Sequence, residues 1–374
     1  MNIALIGCGA ISSIYLENLY RFPHLHLVAL ADLDPDRAQA KAEQAAPLAA
    51  AANQEPPQAL SIDQALAHKD VDLILNLTVP KAHVAVATAA LNAGKHTYSE
   101  KPLAIHPREA APLLELARSK NLRVGCAPDT FLGAGIQSAR KLLDEGTIGA
   151  PVAATAFMLT PGHESWHPDP EFYYQVGGGP MLDMGPYYLT ALVNLLGPVA
   201  KVAGFARATH PTRTITSEKK RGLEIPVETP THFATSLQFA SGPLASLVMS
   251  FDCFPGNLPR IEIYGTQGTL SIPDPNTFGA GGGDLKLKLG RNEWQTLPFT
   301  HPYKDEWRAL GVADMAAAIA GDRPHRASAE LAAHVLDVMA AALTTSEEGR
   351  TITISSAPPR PAPMPTTLPE GQLD

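Results

Sequence analysis

Acidic, basic and phenolic side chains crowd two stretches of this chain. In Ser-Glu-Lys-Pro, 99–102, Glu100 and Lys101 end an apolar run, where a buried strand would stop. A lysine is rarely set there unless it is paired or functional, and its ammonium can polarise an oxygen or relay a proton. An exposed edge salt bridge is the competing structural reading. The proline that follows permits a cis peptide bond. The second stretch, GHESWHPDPEFYYQVGGGPMLDMGPYY at 162–188, gathers His163, Glu164, Trp166, His167, Asp169, Asp183, Tyr187 and Tyr188. Aromatic faces beside hydroxyl-binding groups suit a sugar ring, which has apolar faces and a polar rim. His163, Trp166 and His167 are therefore expected substrate contacts. The i, i+4 spacing of the two histidines could suggest a metal. Prolines at 161, 168 and 170 oppose a helix there, and no third ligand stands nearby, so no metal is expected. Alone, Asp-Met-Gly-Pro-Tyr-Tyr (183–188) reads equally well as a turn with two core aromatics.

A third motif reads as a ligand cradle, with a glycine-rich turn that binds nothing as the competing reading. GCGAIS at 7–12 matches Gly-x-Gly-x-x-Gly except that Ser12 takes the third glycine's place. Gly7 allows a tight turn, and Gly9 lets the backbone of Ala10 and Ile11 approach a pyrophosphate at a helix N-terminus. The third position concerns helix–strand packing, which a small serine satisfies. Asp32 ends the next strand, where a carboxylate accepts bonds from ribose hydroxyls and repels a 2′-phosphate. Leu33, Asp34 and Pro35 follow it with no arginine, so NAD(H) is expected over NADP(H). The competing reading of Asp32 is a helix cap, a role Asp34 fills as well. Beside a cationic nicotinamide the Lys101 ammonium is disfavoured, which makes it a better proton relay. In TVPKAH, 78–83, Thr78, Pro80 and His83 either line the nicotinamide or simply begin a helix.

The elements that must position these groups follow from pattern. NIALIG (2–7), LHLVALAD (25–32), VDLILNLTV (71–79), HTYSEKP (96–102) and LRVGCAP (122–128) read as buried strands. Helical stretches alternate with them, one starting at Asp34 as N-cap with Pro35 first and another closed by Gly94. The segment 47–60 breaks the pattern and is expected to be a loop or frayed helix end. This rhythm predicts a doubly wound parallel sheet of the Rossmann type over 1–126. Topology then turns Asp129 toward the ligand cleft as an expected substrate contact. From 127 to 356 the pattern becomes period-2, in HFATSLQF, LASLVMSFD and RIEIYGTQGTLSI, which predicts an open, mainly antiparallel sheet in an α+β domain. Two alanine-rich helices and a last strand, TITIS, close it. The tail 357–374 carries six prolines and is expected to be extended or mobile, outside any core.

Composition limits the partners. A formal net charge of −8 leaves no basic field for nucleic acid or membrane, and EKKR at 218–221 reads as a solvated loop. No apolar run is long enough to span a bilayer. The N-terminus enters a strand without a basic leader, so no signal peptide is expected. Cys8, Cys126 and Cys253 lie far apart in apolar stretches, which predicts reduced, buried thiols and a cytoplasmic setting.

Taken as an ordered set, GCGAIS, ILNLTVPKAH, SEKP and GGGPMLDMGPYY make the chain resemble the glucose-fructose oxidoreductase / inositol dehydrogenase / MocA family, to about Ile354. That resemblance implies an NAD(P)-binding Rossmann domain and a C-terminal α/β domain whose sheet commonly makes homodimers or homotetramers. It implies that Lys101 contacts substrate and nicotinamide and that Asp183 positions substrate. The family's catalytic histidine is replaced by Tyr187, and an aspartate that often closes the motif by Thr190. Tyrosine at that place is similar to glucose-fructose oxidoreductase and dimeric dihydrodiol dehydrogenase. A phenol beside an ammonium is pushed toward phenolate, so Tyr187 can exchange a proton with substrate while Tyr188 packs in the core. The expected activity is NAD(H)-dependent hydride transfer at a sugar, cyclitol or sugar derivative. The alternatives are an NAD-retaining glycosidase that oxidises transiently and a non-catalytic dinucleotide- or sugar-sensing regulator.

Overall fold

Short β-branched and leucine-rich runs, each stopped by a polar residue or glycine, form the strands of the first sheet. The computed structural model describes residues Met1–Asp374. In chain order the first elements are β1 (Asn2–Ile6), α1 (Ser12–Leu19), β2 (His26–Ala31), α2 (Pro35–Ala51), β3 (Gln58–Leu60), α3 (Ile62–Ala67), β4 (Leu73–Asn76), α4 (His83–Asn92), β5 (His96–Ser99), α5 (Pro107–Ser119) and β6 (Val124–Cys126). All six strands are parallel, in the order β3-β2-β1-β4-β5-β6. Ala4, Ile6, Ala29, Ala31, Ile74 and Ala90 form a core on one face. Strand order reverses between β1 and β4, and ligands of such sheets bind at the carboxyl ends of the strands flanking that point.

Asp34 caps α2 by accepting the Asp36 amide at 3.1 Å, with Pro35 in the first turn. The expectation of a loop or frayed helix end over 47–60 holds for 52–57 and is corrected on either side. Helix α2 continues through Pro47 to Ala51, carried by strong alanine propensity, and 58–60 pairs with β2.

The second sheet follows α6 (Ala134–Asp144). Its elements are β7 (Pro151–Leu159), α7 (Gly179–Asp183), α8 (Gly185–Leu196), β8 (Val199–Arg207), β9 (Thr212–Thr214), β10 (Glu224–Pro226), β11 (His232–Phe239), β12 (Leu244–Ser250), β13 (Ile261–Gly265), β14 (Gly268–Ile272), β15 (Leu285–Leu289) and β16 (Gln295–Leu297). After α9 (Leu310–Ala320) and α10 (Ala329–Glu348), β17 (Ile352–Thr353) completes the nine-stranded order β16-β15-β14-β13-β7-β12-β11-β8-β17. The expected mainly antiparallel pairing holds except at β7–β12, which is parallel. Alternating burial along β11 puts one face inside, with α6 against β14 and β15 and α7 against β12. The hairpin β9–β10 forms a separate small sheet.

The chain forms two compact units, but not as two consecutive stretches. Unit 1 holds Met1–Leu132, Glu306–Ala333 and Met364–Asp374, and unit 2 holds Gly133–Asp305 and His334–Pro363. The reason lies at β6, the edge strand of the first sheet. The Cys126 amide bonds Ala327, Gly125 bridges Ser328, and α9, apolar nearly all round, lies against β6. The expectation that the tail stays outside any core is corrected too. It has no regular structure, yet Met364 is buried and Asp374 bonds Arg323 and Arg326, which also hold the buried Asp314. EKKR is likewise more than a solvated loop, since Lys219 and Lys220 pair with Asp169 and Lys220 with Glu171. Cys8 and Cys126 are free and buried, and Cys253 is free but only half-buried. No helix is long and apolar enough to cross a membrane.

Candidate active site

The residues singled out from sequence fall into two groups, one in each unit. In unit 1, Gly7 leaves β1 with φ +106°, and a Cβ there would come within 2.6 Å of the Leu77 backbone, so glycine is required. Around the position of a Cβ on Gly9 nothing lies within 4 Å. That open space, with Gly9, Ala10 and Ile11 exposed ahead of α1, fits a pyrophosphate at the helix N-terminus. Ser12, in the third glycine's place, is fully buried and donates its hydroxyl to the Gly9 carbonyl at 2.7 Å, bracing the turn.

Asp32 Oδ2 accepts the Cys8 amide at 2.7 Å and Oδ1 the Asp34 amide at 3.0 Å, which ties the glycine turn to the end of β2. A carboxylate has about four acceptor sites, so capacity remains for ribose hydroxyls. Beside it a depression of about 680 Å³ is lined by Asp32, Leu33, Asp36, Leu60, Ser61 and Asp63 among others. Its three carboxylates oppose a 2′-phosphate. Burial, then the Asp32 charge, pushes the Cys8 thiol up to about 12, so it stays protonated.

At the end of β4, Asn76 is buried and was not anticipated. Its amide nitrogen donates to the His83 carbonyl and to Ser99, and its oxygen accepts the Thr78 hydroxyl at 2.6 Å. A lone amide in the apolar run LILN was the available signal. Thr78 is half-buried and Pro80 exposed, as a ligand-facing loop requires. His83 as a direct cofactor contact is corrected. It opens α4 but is 1% exposed, with Nδ1 2.7 Å from the Pro102 carbonyl and Nε2 2.9 Å from that of Thr78. It joins two loops from behind.

Strand β5 stops at Ser99, which leaves Glu100 and Lys101 half-buried at its carboxyl end, and Lys101–Pro102 is cis. Glu100 Oε1 accepts the hydroxyl of Tyr15 at 2.7 Å and Oε2 the Lys101 amide at 3.0 Å. Tyr15, another residue not anticipated, has its phenol held far above its ordinary pKa by burial and by Glu100, so it serves as a fixed donor. Asp129 as a substrate contact is corrected. It is 1% exposed, and one oxygen accepts the Ala309 and Gly311 amides, each at 3.0 Å, capping α9. Burial pushes its carboxyl up to about 6.

In unit 2, the GGGP run leads into the first turn of α7, where side chains do not fit. A Cβ on Gly178 would meet the Phe172 carbonyl at 2.3 Å, and Gly179 has φ +83°. Asp183 ends α7 half-buried. Tyr187, in the first turn of α8, is 8% exposed, and Tyr188 is fully buried, as expected. The 160–174 loop is pinned from beneath. Glu164 accepts the Tyr174 hydroxyl and Arg213 Nη1 at 2.7 Å, its carbonyl accepts the Thr216 and Ser217 amides, and Arg213 also pairs with Asp252. On that base His163 packs against Tyr173, Phe251 and Trp166 at ring-centroid distances of 3.9, 4.5 and 5.3 Å. Its Nε2 lies 3.7 Å from Asp183 Oδ2. Trp166, 60% exposed, and His167 extend the aromatic surface. The structure thus brings His163, Trp166, His167 and Asp183 together, with aromatic faces beside a carboxylate.

Two family models match the chain. One, described as an oxidoreductase family with an NAD-binding Rossmann fold, covers residues 1–127, and the GFO/IDH/MocA C-terminal domain covers 136–271. The myo-inositol 2-dehydrogenase of Thermotoga maritima is 24% identical over 72% of this chain and 74% of its own. A dTDP-3,4-didehydro-2,6-dideoxy-α-D-glucose 3-reductase of Streptomyces violaceoruber is 30% identical over 54% of this chain, and the match spans 57% of that protein. A solved structure titled levoglucosan dehydrogenase, in complex with NADH and L-sorbose, superposes with a TM-score of 0.76 at 21% identity, over 95% of this chain and 99% of the other.

Proposed function

Because the chain belongs to the GFO/IDH/MocA family of oxidoreductases, we propose that it transfers a hydride between NAD(H) and a carbinol carbon of a sugar, cyclitol or sugar derivative. The observation that carries this reading is the pairing of chemistries in one chain. One unit carries a dinucleotide cradle of Gly7, Gly9 and Asp32, and the other a wall of Trp166, His163, His167 and Asp183 suited to a polyol.

Bound there, the dinucleotide supplies the hydride acceptor or donor. Gly9, Ala10 and Ile11 would offer backbone to its pyrophosphate and Asp32 would accept from its ribose hydroxyls, while Thr78, Pro80 and Glu100 would hold the nicotinamide end. His83 contributes by holding the Thr78 loop. In this reading Lys101 places its ammonium on the reacting oxygen and Tyr187 exchanges the proton with it. Asp183 accepts a neighbouring hydroxyl and fixes which carbon reacts, while the Trp166 ring covers an apolar face of the sugar.

Free thiols at Cys8 and Cys126 support a cytoplasmic setting. The open face of the second sheet supports a homodimer or homotetramer, since it exposes Phe205, Leu244 and Val152 at 78, 58 and 55%. The functional reading is tested by following absorbance at the NADH band over a panel of sugars and inositols, with NAD and NADP in parallel. It expects growth with NAD and at least one polyol. Dinucleotide that binds but never changes redox state with any polyol would overturn it.

A further inference from the structure

Oxidation of a carbinol gives up a hydride equivalent and a proton, and the protein must house the proton. A phenol, with an ordinary pKa of about 10, is a poor store near neutrality, whereas an imidazole at about 6.5 both takes and releases a proton there. Helix α8, GPYYLTALVNLL, has no histidine. We propose that His163, on the loop before α7, is the proton store of this site: paired with Asp183, its imidazole holds the proton that the reacting hydroxyl gives up and returns it in the reverse reaction. The proposal rests on the dehydrogenase reading above.

Three observations support it. First, His163 is 9% exposed, yet neither ring nitrogen has a hydrogen-bond partner. A buried imidazole left so is costly unless a ligand completes it. Second, the ring is locked by Tyr173, Phe251 and Trp166, and its own amide donates to the Tyr174 hydroxyl at 3.2 Å, so it cannot swing to another partner cheaply. Third, Nε2 is 3.7 Å from Asp183, which is ion-pair range for an imidazolium but longer than a hydrogen bond, so the nitrogen stays available to a proton. Asp183 and Tyr187 stand four residues apart across Met184, which is helical at φ −104° and ψ −22°, so they lie on one side of the helical ribbon.

The charges facing His163 favour this assignment. The carboxylates of Glu164 and Asp252 are both engaged by Arg213, and Tyr173 and Phe251 bring no charge. His167 lies beyond Trp166, and Asp183 supplies the negative charge within ion-pair distance. In the proposed step the substrate O–H bond breaks, its proton passes by way of Tyr187 to the imidazole, and the carbinol hydrogen leaves with its electron pair to oxidised NAD. One imidazolium and one carbonyl result.

The test has a kinetic and a spectroscopic arm. In His163→Gln, kcat for oxidation falls about 100-fold, by more than KM for the sugar rises, and the fall of kcat at low pH flattens. A role in packing alone would instead raise KM and leave the pH profile in place. The second arm needs no turnover. Protonated imidazole quenches indole emission, so in a His167→Gln background the part of the fluorescence lost in Trp166→Phe titrates with pH. Asp183→Asn moves that midpoint to lower pH, and His163→Gln abolishes it. An unchanged midpoint in Asp183→Asn, or an unchanged pH–kcat profile in folded His163→Gln, overturns the proposal. Unaltered turnover in Tyr187→Phe would sink the Tyr187 assignment but leave the fluorescence titration standing.

Discussion

The Asp32 carboxylate accepts the amide of Cys8 at 2.7 Å, so the residue proposed to read the adenosine ribose also holds the glycine turn. Asp32→Ala removes both a ribose acceptor and the brace on that turn. Hydrogen bonds to a charged group contribute roughly 1.5–3 kcal/mol, so kcat/KM with NAD should fall about 10- to 100-fold. The ratio of NAD to NADP efficiency should fall with it, because a source of phosphate repulsion is gone. Initial rates with both dinucleotides check this.

The proton-transfer roles proposed for Tyr187 and Lys101 make a second prediction. Tyr187→Phe and Lys101→Met should each lower kcat by about 100- to 10,000-fold, the usual range for a lost acid–base group. Affinity for NAD, measured by isothermal titration, should be nearly unchanged in Tyr187→Phe. A loss confined to KM would identify Tyr187 as a binding residue only.

Asp129 makes a prediction about stability and pH. Burial raises its folded carboxyl to about 6, above the ordinary 3.8. The folded state therefore binds the proton more tightly than the unfolded one, so stability is greatest below the lower value and declines as pH rises toward 6. The full change is about 3 kcal/mol on the linkage relation. Asp129→Asn keeps an acceptor for the α9 amides but does not titrate. Urea midpoints of the variant should be flatter between about pH 4 and 6 than those of the wild type.

Arg213 links Glu164 and Asp252, with all three side chains at most 14% exposed. Arg213→Met leaves two buried carboxylates without their cation, a class of change that destabilises by about 3–5 kcal/mol. Because that ion pair carries the loop bearing His163 and Trp166, KM for the sugar should rise more than kcat falls. Denaturant melts together with steady-state kinetics separate the two effects.

Much of this was legible in the sequence, because local signals and fold agree there. Gly7, and Asp34 with Pro35, mark a strand end and a helix start by rules that act within a few residues. What escaped depends on partners distant in sequence. Asp129 looked like a cleft residue because its partners, the Ala309 and Gly311 amides, come about 180 positions later. The return of 306–333 to the first unit is a matter of covering edge strand β6, which no local pattern announces. Pro47 reads as a break, yet the alanines after it continue the helix. In the second unit the aromatic and acidic content of 162–188 was plain. The 3.7 Å approach of His163 to Asp183 was not, because it depends on Glu164 reaching Arg213 across forty-nine residues.

The central claim is net hydride transfer from a polyol carbon to NAD. The most direct measurement is the mass of the dinucleotide after turnover with a carbon-deuterated sugar or inositol found active in the absorbance panel. The account predicts reduced dinucleotide carrying one deuterium, formed by the wild type and scarcely by Tyr187→Phe. Dinucleotide that remains oxidised and unlabelled while a glycosidic bond is cleaved would contradict it, because the hydride would then have returned to the sugar.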